Sequence, residues 1–362
     1  MPALDDAFLL HRQGRLAEAE AGYRALLEAS PDDADLLHVL GVLRRQRGDV
    51  GDALALMTRA HELAPDNATI EFTRGTLLME SGDRAGAGVA FTRTLVLDPN
   101  FTGAHIGLGQ MALQREEDAA AEQHFRIALR AAENDPHALT GMGAVLLRRN
   151  DVEGATRYLT RAAETLPDYP MLQFLLGQAF MRRDMLDFAE QALGNALRLD
   201  PTLHEARRWL AEALLRQNRP ADAELHYRAL LSAPGQALVA LIGFADVARM
   251  QDRLADAVGH YRDALKLAPT LSLATRALGM VLANLGRNDE VIEAYSAYLA
   301  HVPDDADMRL LRADVLMLLE RWQEAAADWR QLLQQNPEDA NARQRLAEAE
   351  GRLAVASPAA PD

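Results

Sequence analysis

Eight prolines in this chain keep one spacing. Pro31, Pro65, Pro99, Pro167, Pro201, Pro269, Pro303 and Pro337 are separated by 34 residues or by 68. The two vacant slots hold Glu133 and Gly235, and Pro234 precedes the second. The period runs from residue 31 to 337 with no net insertion or deletion. That restricts the chain to repeat architectures, in which each unit is one supersecondary element stacked on its neighbours.

With the proline numbered as position 32 of each unit, three other columns stand out. Position 8 reads Ala7, Gly41, Gly75, Gly109, Gly143, Gly177, Ala211, Ala245, Gly279 and Ala313. Position 20 is alanine in nine units and Val291 in the other. Position 24 is always large: Tyr23, Met57, Phe91, Phe125, Leu159, Leu193, Tyr227, Tyr261, Tyr295 and Trp329. Two small residues and one bulky one in every unit form a packing rule. Where two helices cross closely only Gly or Ala fits, and the large side chain fills the space beside the crossing.

Each unit reads as helix, turn, helix. Position 15, at the turn, carries Gly, Asn or Asp in eight of ten units, residues that tolerate a left-handed backbone; Glu116 and Glu320 are the exceptions. Pro220 falls where a second helix begins, and there its missing N–H costs nothing. Acids after many of the period-setting prolines, as in Pro31-Asp32-Asp33, sit at the N-termini of first helices, where they favour the helix dipole.

This small-and-large pattern at a 34-residue period resembles the tetratricopeptide repeat, over residues 1–339. The resemblance implies an all-α fold: a right-handed α-solenoid of about ten helical hairpins. The chain departs from the family at position 4, where the frequent tryptophan gives way to residues such as Leu37, His105 and Leu241. It departs at position 11 too, with Leu10, Leu78, Leu146 and Leu214 in place of tyrosine. Residues 340–356 read as one more amphipathic helix, with Leu346 and Leu353 on one face, the cap a solenoid needs over its last apolar surface. Residues 357–362 read as a disordered end. Phe8 and Leu9 in the first unit lack a preceding cap and are expected to be partly exposed.

Composition narrows function. The formal charge of −15 argues against a nucleic-acid partner, because phosphate binding needs a basic face. Without cysteine there are no disulfides, thiolate metal sites or cysteine nucleophiles. No run approaches a membrane span, and the N-terminal residues lack the pattern of a signal peptide, so a cytoplasmic protein is expected. Lys266 is the only lysine among 38 basic residues, which hints at a GC-rich bacterial genome. His61-Glu62 and His204-Glu205 lack a second histidine at zinc spacing, and Gly141-Met142-Gly143 lacks the third glycine of a dinucleotide loop. His124, His226 and His260 share position 23 and read as packing or rim residues. Asp32, Asp33 and Asp35, like Asp304, Asp305 and Asp307, read as repeat-linker acids and not as a calcium site. No catalytic residue, metal or cofactor is expected, and the chain is read as a non-enzyme.

What remains is binding. The resemblance implies that first helices line a concave groove and present positions 2, 5, 9, 12 and 13 to a protein or peptide. On that reading the partner-binding residues are Phe72, Gln110, Gln114, Thr140, Arg148, Phe174, Gln178, Met181, Arg182, Arg208, Glu212, Arg216 and Arg249. Arg148, Arg182 and Arg216 recur at position 13 in consecutive units and are expected to form a ladder toward an acidic segment, beside an apolar floor of Phe174 and Met181. Gly103, Gly107, Gly141 and Gly243 imply close approach of a neighbouring helix or a ligand backbone, since glycine weakens a helix. The lysine-based carboxylate clamp known in this family is disfavoured, because Lys266 lies on a second helix. The expected function is a scaffold or adaptor holding a segment of a partner protein. An alternative is a substrate-recruiting subunit of a separate glycosyltransferase or sulfotransferase, suggested by Leu36-Leu37-His38-Val39-Leu40-Gly41-Val42-Leu43.

Overall fold

The computed structural model describes residues 4–356, and among these all regular structure is α-helical, with twenty-one helices and no strand. The first compact unit, residues 1–184, holds α1 (Leu4–Arg12), α2 (Leu16–Ala29), α3 (Ala34–Gln46), α4 (Val50–Leu63), α5 (Ala68–Glu80), α6 (Arg84–Leu97), α7 (Thr102–Gln114), α8 (Asp118–Ala131), α9 (Pro136–Arg148), α10 (Val152–Thr165) and α11 (Pro170–Arg182). The second, residues 185–362, holds α12 (Leu186–Leu199), α13 (His204–Arg216), α14 (Pro220–Leu231), α15 (Ala237–Met250), α16 (Leu254–Leu267), α17 (Ser272–Asn284), α18 (Asn288–His301), α19 (Ala306–Leu318), α20 (Trp322–Gln335) and α21 (Ala340–Ala356). In each unit, consecutive helices pair as antiparallel hairpins and each hairpin packs on the next. The end expected to be disordered, 357–362, lies outside the described residues.

The packing rule is realised atom by atom. Every alanine at position 20 is fully buried, and Val291 almost so. A Cβ placed on Gly75 would meet the Phe91 ring at 2.8 Å, and one on Gly107, in the following hairpin, would meet the same ring at 2.7 Å. Phe125 is wedged in the same way between Gly109 and Gly141. Gly243 lies against Tyr227, and Gly103 against Phe72. The close approach implied by these glycines is therefore to aromatic side chains of the same stack.

Turn geometry follows the same register. All ten residues at position 15 take positive φ, and these include Glu116 (63°) and Glu320 (57°), which carry a Cβ penalty there. The helix pair on either side fixes the turn so firmly that side-chain preference is overridden. Several first helices are capped by an Asx side chain accepting from backbone N–H groups: Asp33, Asn67, Asp135 and Asp305.

Position 4 shows what replaces the family's tryptophan. His105 bonds the carbonyl of Pro99 (3.0 Å), Gln173 that of Pro167 (2.8 Å) and Arg207 that of Pro201 (2.9 Å). Arg309 and Arg343 do the same to Pro303 and Pro337. A donor six residues after each of these prolines thus satisfies a linker carbonyl that no helix can reach. The linker acids are used similarly: Arg59 holds Asp32 and the Pro31 carbonyl, and Arg161 holds Glu133 and Asn134.

The last hairpin is covered by α21, which buries Ala342 and Ala349 against the cluster around Trp329, with Leu346 and Leu353 partly buried beside them. At the other end Phe8 and Leu9 are exposed, as expected.

Two predictions follow from the packing. Ala155→Leu and Ala189→Leu should each overpack a helix crossing and cost about 1–3 kcal/mol, read as a lower urea midpoint; an unchanged midpoint for both contradicts this register. The second concerns histidine. His105 Nε2 donates to the Pro99 carbonyl, and its Nδ1 accepts from His124 Nδ1 at 3.0 Å. Burial, then the neighbouring His105, pushes the His124 pKa down; burial does the same to His38 and His226. A depressed histidine pKa means the unfolded chain binds more protons, so this stability is present at neutral pH. It is lost as pH falls from the unfolded value of about 6.5 through the folded one. Urea midpoints at pH 7.5 and 5.5 should show the decline. His124→Gln, which keeps a donor to His105 but does not titrate, should reduce the decline and leave the part due to His38 and His226.

Candidate functional site

First helices of successive hairpins stand side by side within each unit. His38 on α3 bonds Thr73 on α5 (3.1 Å), Arg45 on α3 pairs with Glu80 on α5 (2.6 Å), and Arg276 on α17 reaches Asp307 on α19 (3.1 Å). The resulting surface is a continuous face of first helices. Helical geometry divides its positions. Those at 5 and 12 lean inward and those at 2 and 13 outward, as Leu147 (buried) and Arg148 (exposed) show at adjacent positions.

In the first unit, the Phe72 ring packs on Phe91 and Phe101, with centroids 5.8 and 4.9 Å away, and is half-buried. Gln110 and Gln114 are exposed on α7, whereas Phe174 and Gln178 are half-buried on α11. Thr140 is buried, its hydroxyl donating to the Pro136 carbonyl at 2.6 Å, and Met181 is also buried; neither presents surface to a partner. Arg148 is exposed but paired with Asp118 at 2.7 Å, and Arg182 donates to the Leu147 carbonyl. The two ladder arginines of this unit are thus engaged by internal partners.

In the second unit, Arg208 pairs with Glu205 (2.8 Å), lies over the Trp209 ring and stands 4.0 Å from Glu212. Arg216 is exposed at the end of α13. Arg249 lies 3.6 Å from Asp246, which also accepts from the Tyr261 hydroxyl at 2.8 Å. Desolvation, reinforced by Asp246, drives the Tyr261 phenol well above its ordinary pKa, so it stays a neutral donor.

The most exposed apolar side chains on any first helix lie further along the chain than the expected site. Leu273 and Met280 on α17 and Leu318 on α19 are 75, 67 and 70% exposed. They occupy positions 2, 9 and 13, the same stripe that was scored in the middle repeats, and Met250 at position 13 of α15 adds to it. The sequence carries part of this signal: positions 2 and 9 of α17 and 13 of α19 are leucine or methionine, although Asp307, Asp314 and Asn284 fill the matching positions and Met171, Val239 and Val42 are apolar in other repeats. Around them stand Asp307, paired with Arg276, and the exposed Asp314.

Among the described residues no group of three or more His, Asp or Glu side chains converges to hold a metal. His124 is committed to His105, and His260 lies against Phe244 with ring centroids 5.5 Å apart. Lys266, on α16, pairs with Asp263 at 2.7 Å, away from the first-helix face. No helix among the described residues is long and apolar enough to cross a membrane.

Comparison with known proteins agrees with this geometry. The chain is similar in fold to a tetratricopeptide repeat protein from Parabacteroides merdae, with 13% identity over 69% of this chain and 98% of that one, and a TM-score of 0.50. It is similar also to human IFIT1, solved as a dimer with PPP-AAAA, with 16% identity over 91% of this chain and 81% of that one, and a TM-score of 0.53. At such identities the likeness speaks to fold alone. No curated protein matches the chain significantly. The family model described as tetratricopeptide repeat matches residues 9–68, 72–136, 140–201, 186–237 and 276–340. Matched over well more than half its length, and carrying the small–large packing of that repeat in both units, the chain belongs to the tetratricopeptide-repeat family.

Proposed function

We propose that this protein is a non-catalytic scaffold that holds a segment of a partner protein against its first-helix faces. The fold supports a protein-interaction role in general, and family members are typically non-catalytic. The observation that carries the specific reading is the exposure of Leu273, Met280 and Leu318 on neighbouring first helices of the second unit. Large apolar side chains this exposed favour a partner that covers them, and methionine adapts to partners of varied shape. Arg208, Glu212, Arg216 and Arg249 supply charged neighbours on α13 and α15 of the same unit that set orientation more than affinity. In the first unit Gln110, Gln114 and the half-buried Phe72, Phe174 and Gln178 offer polar and aromatic contacts, while Arg148 and Arg182 mainly serve the fold.

The test is a pull-down from the native lysate with the wild type and with the triple variant Leu273→Ser, Met280→Ser, Leu318→Ser. These side chains are already in solvent, so helix content and melting should not change. Each buried aliphatic contact contributes about 1–2 kcal/mol, so affinity for the captured protein should fall roughly 100-fold or more. Undiminished capture by the triple variant sinks the assignment of the apolar stripe. Arg148→Glu with Arg182→Glu should instead lower stability by breaking the Asp118 pair and the Leu147 carbonyl bond, with a smaller effect on binding.

A further inference from the structure

Two hairpins of the first unit are tied by an ion pair to the second helix of the hairpin before. Arg47 pairs with Glu20 of the preceding hairpin, and Arg149 pairs with Glu122 at 2.5 Å. In each case an arginine at position 14 meets a glutamate at position 21, 27 residues back. The same step from Arg115 arrives at Gly88. Arg115 is exposed and, among the described residues, forms no ion pair. Arg47 and Arg149 meet a carboxylate at that step, whereas Arg115 meets a glycine, as Arg183 meets Thr156 and Ser81 meets Leu54.

Gly88 and Arg115 line a groove of about 680 Å³ between α6 and α8, running over α7. Val89 and Val96 on α6 stand at its edge, 67 and 65% exposed, and Leu108 and Met111 line its base. Other second-helix grooves are internally neutralised. In one, Arg24, Arg44 and Arg59 pair with Glu20, Asp49 and Asp32; in another, Arg219 pairs with Glu190 and Asp222; in a third, Arg262 pairs with Glu290.

We infer that the α6–α8 groove is a docking surface for a protein segment presenting an aliphatic side chain beside a single carboxylate. The carboxylate takes the place that Glu20 and Glu122 fill in the sister hairpins and binds the Arg115 guanidinium, a geometry suited to paired N–H···O bonds. The aliphatic side chain covers Val89 and Val96, and that burial supplies the affinity. Glu117, at the start of α8, also lines the groove and opposes further negative charge, so a polyacidic run is a poorer fit than one acid. His124 lines the groove as a neutral ring and adds no charge at pH 7. This surface is made by α6, α8 and the side of α7 that faces them, and stands independently of the exposed α17–α19 residues proposed above.

The probe is a random 16-residue peptide library panned on the full chain, with selected peptides then measured by fluorescence anisotropy. The expected pool on the wild type is enriched in an aliphatic residue within four positions of one Asp or Glu. Gly88→Glu supplies the missing internal partner; a Cβ there meets only the flexible end of Met111, at 3.1 Å. It should leave melting unchanged or higher and weaken the selected peptides at least tenfold. Arg115→Gln, at an exposed position, should weaken them to a similar degree and carries the test alone if Gly88→Glu does not fold. The Leu273, Met280 and Leu318 triple variant should bind these peptides as the wild type does, which separates this site from the other. Enrichment of basic peptides, no enrichment, or equal binding to wild type and Gly88→Glu overturns the proposal. So does a chain that self-associates in sedimentation and becomes monomeric on Gly88→Glu, since the occupant is then a second copy.

Discussion

Phe91 touches two glycines from two different hairpins, Gly75 on its own first helix and Gly107 on the next, and this double contact is the constraint the architecture rests on. One side chain closes its own hairpin and sets the distance to the following one. Phe125 repeats the device with Gly109 and Gly141. A bulky group at position 24 can do this only if both facing helices lack a side chain there, so the small residues are fixed by the large one. Tyr227 against Gly243 shows the same bargain in the second unit. Because every contact of this kind is between neighbours, stability is built from hairpins and the interfaces between them, with no single central core.

Polar ties then set the register that the apolar wedge leaves free to slide. Linker carbonyls would be orphaned between two helices, and the donors at position 4 reach back to them. The chemistry differs from repeat to repeat: imidazole, amide and guanidinium all do one job. In the last complete hairpin the job grows. Arg309 and Arg312 converge on the buried Asp328, and Arg312 also holds Ser296. A carboxylate so enclosed depends on both guanidinium partners, since an unpaired charge at that depth is strongly destabilising.

The fold was legible because its signal is steric and is written many times over. Glycine or alanine at position 8, alanine at position 20 and a large side chain at position 24 each have one physical meaning, and averaging over ten copies removes the noise of any one. Position 4 was not legible, because residues as different as His105, Gln173 and Arg309 have no common chemical class until their shared acceptor is seen. The candidate surface was half legible. Adjacent positions 12 and 13 turn about 100° apart on a helix, so Met181 is buried while the position-13 residues are exposed, and a sequence window treats them alike. Thr140 failed for a related reason: its hydroxyl already has an acceptor one turn back, at Pro136. Arg148, read as a ladder residue, is exposed, but the carboxylate it meets, Asp118, belongs to another helix and is invisible in a linear reading of one repeat.

A repeat protein offers an internal standard that a single globular domain lacks. When the same position makes the same contact in several hairpins, the contact belongs to the stack, and a hairpin that omits it has been released from the rule. Leu273, Met280 and Leu318 are departures of one kind, apolar groups more exposed than those at the same positions of other first helices, such as Met171 and Met250. Gly88 is a departure of the other kind, a glycine where Glu20 and Glu122 stand in two sister hairpins, which leaves the Arg115 guanidinium without the partner that Arg47 and Arg149 have. Both weaken what the hairpin contributes to itself, the first by exposing carbon to water and the second by leaving a charge and a groove open. A stack that already holds together through its wedges tolerates such local losses. The two docking surfaces proposed above are drawn at these departures, where the packing of the stack alone does not call for the residues present.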